Sequence, residues 1–448
     1  MKTRLVSLIL AITLGGVAAP TFAAPAAPNW TANAVIYEVN VRQFTQEGTF
    51  AAFQTHLPRL KALGVDILWL MPIHPISKEK RKGTLGSPYA VADYKAINPD
   101  YGTAADFRSL VSAAHAQGMY IVLDWVANHT GWDHPWLANP DWYTRDPDGR
   151  IIHPEGTDWT DVADLNYANP AMRAAMVDAM RYWVTEFDID GFRADVAGAV
   201  PTDFWDAATK QINAIKPLFM LAEDNGKPEL MRNSFVANYG WSFKDFANTV
   251  GRKFGSKNDF VGYLMMQEDW YPKGTYPMNF ITNHDENSWN GTEFKRLGPA
   301  VQQMAALSFV IPGMPLIYTG QEIGLDRQLA FFEKDLLTWT DSKWTPFYQK
   351  LIRLKKKNRA LWNGSWGGPA TDLTTSSDSV IALSRTLGKN TVIYVANISP
   401  KPVKATISTA AASGTYYAFS TNKRTSVPKK LITTLAPWEW RIYSSTPA

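Results

Sequence analysis

No cysteine occurs among the 448 residues, so neither a disulfide framework nor thiol catalysis is open to this chain. Charge of one sign is scarce as well. Lys and Arg number 45 against 41 Asp and Glu, a net +4, far from the dense positive field that a nucleic-acid binder sets against phosphates. Long apolar runs are short by the membrane's measure: residues 5–19 reach 15 with a Gly15-Gly16 break, where a spanning helix needs about 20. Short-period repeats, charge blocks and low-complexity tracts are missing too. What is there is a globular composition, 46% hydrophobic and 19% charged, in a chain long enough for one large domain with an appendage.

Lys2 and Arg4, the apolar run and Thr21-Phe22-Ala23 together form the pattern of a cleavable secretory signal over residues 1–23. Cleavage after Ala23 is expected, since a cut after Ala24 would leave Pro25 directly behind it. It removes two of the 45 basic residues and no acidic one, so the net charge falls from +4 to +2. The expected protein is exported, periplasmic or secreted, with no nucleic-acid partner and no membrane association after cleavage.

Behind a Pro/Ala-rich lead, short apolar runs alternate with amphipathic helical stretches. Strands are expected at 35–39, 66–71, 119–125, 189–196, 218–223, 236–239, 278–282 and 316–318, with helices such as 50–63, 104–117, 171–187 and 204–215 between them. Eight such units make a (β/α)8 TIM barrel, an α/β fold. The barrel takes residues 24–127 and 171–362. Residues 128–170, rich in Trp, Asp and Pro, are too long for a plain loop and predict a small inserted domain after strand three. From residue 367 to 448 the pattern changes to alternating strands, at 380–386, 391–396, 403–407, 416–419 and 438–443, which predict a C-terminal antiparallel β-sandwich.

Reactive groups of such a barrel stand at the carboxyl ends of its strands. Asp124 ends strand three, Arg193 and Asp195 strand four and Glu223 strand five, and His284 with Asp285 follows strand seven. One carboxylate after a strand is more often a helix cap or a surface ion pair; Arg193, Asp195, Glu223 and Asp285 together at one rim are a constellation. Three carboxylates and an arginine suit cleavage of a glycosidic bond, which needs an acid for the leaving oxygen and a carboxylate for the oxocarbenium-like carbon. Asp195 beside Arg193 is expected to stay ionised, and Glu223, after Met220-Leu221-Ala222, to have a raised pKa suited to a proton donor.

At this point the chain resembles the α-amylase family, glycoside hydrolase family 13. The likeness lies in Asp124-Trp-Val-Ala-Asn128-His129, Gly191-Phe-Arg193-Ala-Asp195, Glu223 and Phe280-Ile-Thr-Asn-His284-Asp285, with Asp164-Leu-Asn166 and Ser87-Pro-Tyr89 beside them. The resemblance implies that Asp195 is the nucleophile, Glu223 the general acid/base and Asp285 the transition-state stabiliser, with configuration retained. It further implies that Arg193, His129 and His284 bond Asp195 or the sugar's hydroxyls, that Asp124 braces the pocket and that Tyr89 stacks beneath the sugar being cut. No organic cofactor is implied. A calcium ion held by Asn128 and Asp164 is, although Gly198-Ala199 stands where many α-amylases carry Lys-His. Zinc at His129 and His134 lacks a second pair of ligands.

The resulting expectation is a retaining, endo-acting hydrolase of α-1,4 links in starch-like glucans and maltooligosaccharides. A cyclomaltodextrinase or neopullulanase, an oligo-1,6-glucosidase or a glucanotransferase would use the same carboxylates and differ in loops; a glucan-binding protein without catalysis would usually have lost one of them. Trp132, Trp136, Trp142 and Trp159, in the insert, are the expected glucan platforms.

Overall fold

The computed structural model describes residues 25–224 and 226–448; the signal reading on residues 1–23 lies outside them. Among the described residues no helix is long and apolar enough to cross a membrane.

Eight parallel strands close into a barrel. In chain order they are β1 (Ile36–Val39), β2 (Ile67–Leu70) and β3 (Tyr120–Trp125), then, after an inserted hairpin of β4 (His129–Gly131) and β5 (Val162–Asp164), β6 (Gly191–Ala194), β7 (Phe219–Ala222), β8 (Ala237–Tyr239), β9 (Tyr276–Asn279) and β10 (Met314–Tyr318). Around the circle the order is β1-β10-β9-β8-β7-β6-β3-β2. All eight expected strands are present. The seventh begins two residues earlier than expected and stops at Asn279, so the turn carrying His284 and Asp285 leaves the barrel sooner.

Because side chains alternate along a strand, each β-strand sends every second residue inward. Ile36, Ile67, Val122, Leu221, Met278 and Leu316 pack in one interior cluster. One inward step further toward the carboxyl end come Glu38, Trp69, Asp124 and Glu223, so a dry apolar plug supports a polar upper layer. The outward residues meet the helices in a second, larger core.

Helix boundaries follow local chemistry. Thr103 and Asp106 form a reciprocal capping box at the start of Ala104–Ala116. Asn169 caps Pro170–Phe187, where Pro170 at the first turn needs no partner for an N–H it lacks. The expected single helix over 50–63 is two, Phe50–Gln54 and Leu57–Leu63. Pro58 is the reason, since it has no N–H to continue the ladder but fits a new first turn.

The C-terminal region is antiparallel, as expected, and has more strands than the sequence pattern showed. A six-stranded sheet is covered by a two-stranded one formed by Val403–Ser408 and Lys430–Leu435. Ala370–Asp372, Arg424–Val427 and Lys430–Leu435 were not anticipated; they are short or alternate polar residues on both sides, which weakens a period-two signal.

Candidate active site

Parallel register places Asp124 of β3 beside Arg193 of β6, and both point inward at the carboxyl end of the barrel. Arg193 is wholly buried and gathers the cluster. Its Nη1 donates to Asp124 at 2.8 Å and to Asp195 at 2.9 Å, and its Nε donates to Tyr239 Oη at 3.0 Å. Nη2 lies 2.8 Å from Glu223 Oε2, in ion-pair contact without the alignment of a hydrogen bond. The guanidinium also sits over the rings of Trp69, Tyr89 and Tyr239, which supplies a favourable aromatic contact for a fully buried charge.

The other carboxylate oxygen of Asp124 accepts from Trp69 Nε1 at 3.1 Å and Tyr89 Oη at 3.0 Å. Tyr89 Oη in turn lies 2.8 Å from His284 Nε2, which is 3.3 Å from Asp285. Beyond β6 the chain turns through Val196 at φ +35°, a left-handed conformation rarely adopted by a β-branched residue. That turn aims the Val196 N–H at Glu223 Oε2, 2.8 Å away, and joins the ends of β6 and β7.

Burial dominates the electrostatics. It pushes Glu223 up to about 7 and Asp195 and Asp124 up to about 6, with Arg193 pulling each of them the other way. Asp195 is thus still ionised at neutral pH, as expected, but its value is raised where the cation beside it was expected to lower it. The neighbouring cation is present, but it is shared among three carboxylates and desolvation outweighs its share. Glu223 and Asp195 move up together, from usual values of 4.5 and 3.8. Burial alone would lower His284; Asp285 and Glu38 reverse this and bring it to about 9. His129 has no such partners, and burial brings it down to about 4.

Asp195, Glu223, Asp285, His129, His284 and Tyr89 all border one cavity of about 640 Å³; Arg193 and Asp124 stand behind them as its floor. Of the four tryptophans expected as platforms, Trp159 alone borders it. Trp136 packs on Trp142 within the insert and on Tyr94 outside it, and Trp132 lies under Lys80 Nζ. The opposite wall has aromatics that sequence reasoning missed: Trp289, in the π-helical turn Glu286–Asn290, with Phe331 and Phe332. A Phe-Phe pair outside any periodic segment was the available signal. Glu38 was missed as well. It is fully buried at the end of β1, and its Oε1 accepts from the backbone N–H and Nδ1 of His284. A glutamate inside Val35-Ile-Tyr-Glu-Val39 could have marked it.

Of the two residues expected to hold calcium, Asn128 directs its side-chain amide toward His129 Nδ1, and the Asp164 carbonyl accepts from the Thr144 N–H at 3.0 Å. Among the described residues no three His, Asp or Glu converge on a common point, so an ion there would draw most of its six to eight oxygens from carbonyls, amides and water. Gly198 has a local reason. A Cβ there would meet the Asp224 carboxylate at 2.1 Å, so any side chain at this position requires Asp224 to move.

Barrel, rim carboxylates and hairpin insert define the class, and comparison with known proteins places the chain within it. The description "Alpha amylase, catalytic domain" matches residues 26–148 and 156–351; the chain belongs to the α-amylase family. It is 28% identical to alpha-amylase MalA of Haloarcula japonica over 84% of this chain and 57% of that protein. With the intracellular maltogenic amylase of Bacillus subtilis it shares 30% over 76% of this chain and 60% of that protein. The chain thus spans little more than half the length of these two relatives. Among solved structures, the maltogenic alpha-amylase AmyB of Thermotoga neapolitana superposes with a TM-score of 0.83 at 30% identity, covering 92% of this chain and 98% of that one. An alpha-amylase of Lactobacillus plantarum gives 0.82 at 31%, covering 93% and 99%.

Proposed function

We propose that this chain is an exported glycoside hydrolase that cleaves α-1,4-glucosidic bonds of starch-like glucans and maltooligosaccharides with retention of configuration. The observation that carries the reading is the Arg193 cluster: one buried guanidinium touches Asp195 at 2.9 Å and Glu223 at 2.8 Å, and both carboxylates border the cavity that Asp285 also lines.

In this mechanism Glu223 gives its proton to the glycosidic oxygen as an Asp195 oxygen attacks the anomeric carbon. The C–O bond to the leaving sugar breaks, and a glycosyl ester forms on Asp195. Water then attacks the same carbon from the vacated side and passes its proton to Glu223, which frees Asp195 and restores the starting states. Asp285 and the charged His284 flank the oxocarbenium-like centre, and Tyr89 offers its ring beneath the sugar. The relatives' names, amylases and maltogenic amylases, support an α-glucan as substrate.

Proton NMR of maltoheptaose with the purified protein tests the reading. Short maltodextrins released first as α-anomers by the wild type, and not by Glu223→Gln, are the expected result. Initial β-anomers would remove Asp195 as nucleophile, and an inert maltoheptaose would move the search to cyclodextrins, pullulan and isomaltose.

A further inference from the structure

One loop ties together two groups of elements that would otherwise stand apart across the cleft. Residues 78–86, which follow β2, reach the insert on one side. The Lys78 N–H donates to Asp133 at 2.8 Å, Lys80 Nζ sits 3.1 Å from the centroid of the Trp132 ring, and Lys82 Nζ donates to the Asp158 carbonyl at 2.6 Å with Asp161 at 3.5 Å. On the other side the loop reaches the segment after β10. The Thr84 N–H donates to Glu333 at 2.9 Å, and the Leu85 N–H donates to the Phe332 carbonyl at 3.2 Å. Arg42 clamps both partners from below, donating to the Gly86 carbonyl at 3.1 Å and the Phe331 carbonyl at 2.7 Å.

The loop is also stiffened from within. Arg81 donates to the carbonyls of Ser77 and Ile76. Gly83 has φ +65°, and a Cβ there would come within 2.4 Å of Phe332, so strap and wall meet in direct contact. Lys82 and Phe332 both border the catalytic cavity.

Position around the barrel decides which end of the substrate this strap meets. It stands above β2 and β1, and β7, which Glu223 directly follows, lies across the barrel, four strands from β1 and three from β2 by the shorter way. The leaving-group side of the scissile bond belongs to the proton donor; the strap therefore stands on the far side, where the donated sugars lie. We infer that residues 78–86 cap the glycon end of the cleft, so that the enzyme removes short pieces of uniform length from the non-reducing end of an α-glucan rather than cutting at random inside it. This rests on the hydrolase reading above and replaces the internal cutting expected from sequence. The strap acts on the sugar by exclusion, and a clash at a closed end excludes longer donors more sharply than any added attraction could select short ones.

The test follows maltoheptaose labelled at its reducing end, and the same sugar also blocked at its non-reducing end. Wild-type protein should release one or two sizes of short unlabelled sugar from the start and lose roughly tenfold or more in rate on the blocked substrate. Replacing residues 79–84 by Gly-Gly should broaden the products and restore cutting of the blocked sugar, with Lys82→Ala a milder change in the same direction. An early broad ladder of unlabelled products from the wild type, or equal rates on blocked and free sugar, overturns the inference and leaves the hydrolase reading standing. No cleavage of either sugar, with Glu223→Gln indistinguishable from wild type, overturns both.

Discussion

Two arginines are closed off from solvent in different ways. Arg193, at the rim of the barrel, faces three carboxylates, and Asp124 and Glu223 hold it firmly protonated in spite of its burial. Arg385 lies between the barrel and the C-terminal sheet and meets only backbone, donating to the carbonyls of Gly368, Val310, Ile311 and Trp362. Burial lowers it to about 9. Carbonyl dipoles satisfy four of the five N–H groups without matching the charge, whereas carboxylates match the charge and are themselves altered by sharing it. The first arrangement joins two regions; the second sets protonation states, which is what a proton-transfer site requires.

The sharpest way to break the contrast is to remove each guanidinium in turn. Arg193→Leu should lower kcat/KM on maltoheptaose by roughly 10,000-fold, because both the positioning and the acid–base order of Asp195 and Glu223 go with it. Circular dichroism should show it folded at pH 5, where the stranded carboxylates can bind protons, and destabilised at pH 8. Arg385→Leu should instead cost about 4 kcal/mol of unfolding free energy by orphaning four carbonyls, with kcat per folded molecule unchanged. Equal kinetic damage from the two would mean that the distinction between them is wrong.

A gentler probe uses pH. Glu223 is raised from its usual 4.5 to about 7 in the folded state, so its stabilising contribution is complete below about 4.5 and is lost as pH rises through about 7. Glu223→Gln, which cannot ionise, should therefore be more stable than wild type by about 3 kcal/mol at pH 8 and nearly equal to it at pH 4, measured by urea unfolding. Activity should be bell-shaped. It falls below about 6 as Asp195 gains a proton and above about 7 as Glu223 loses one, the two limbs belonging to the cluster as a whole. A flat profile between pH 5 and 8 would contradict these assignments.

The smallest expected effect separates two tryptophans that look alike in sequence. Trp159→Ala should weaken glucan binding by about 1 kcal/mol, seen in KM. Trp136→Ala should leave KM alone and lower the melting temperature, since its ring packs on Tyr94 and Trp142 rather than on the cavity.

Much of this molecule is legible before any coordinates. Apolar runs of four to six residues separated by amphipathic helices dictate a barrel, and alternation along a strand carries the inward set from Ile36 to Glu38 and from Val122 to Asp124, so ionisable groups at strand ends must converge on one rim. Asp195, Glu223 and Asp285 follow from that local logic. Three things depend on what surrounds a residue in space. Whether Arg193 or desolvation prevails at Asp195 depends on how many other carboxylates share the cation. Which tryptophan meets the cavity depends on how the insert folds on itself. Whether the cleft is open or capped depends on residues 78–86 meeting both Asp158 and Phe332, partners 76 and 247 positions from Lys82 and Leu85 in the chain. Strand pattern and chirality are local and were determined by sequence alone, while charge balance, aromatic placement and loop closure are sums over distant neighbours that the tertiary structure alone brings together.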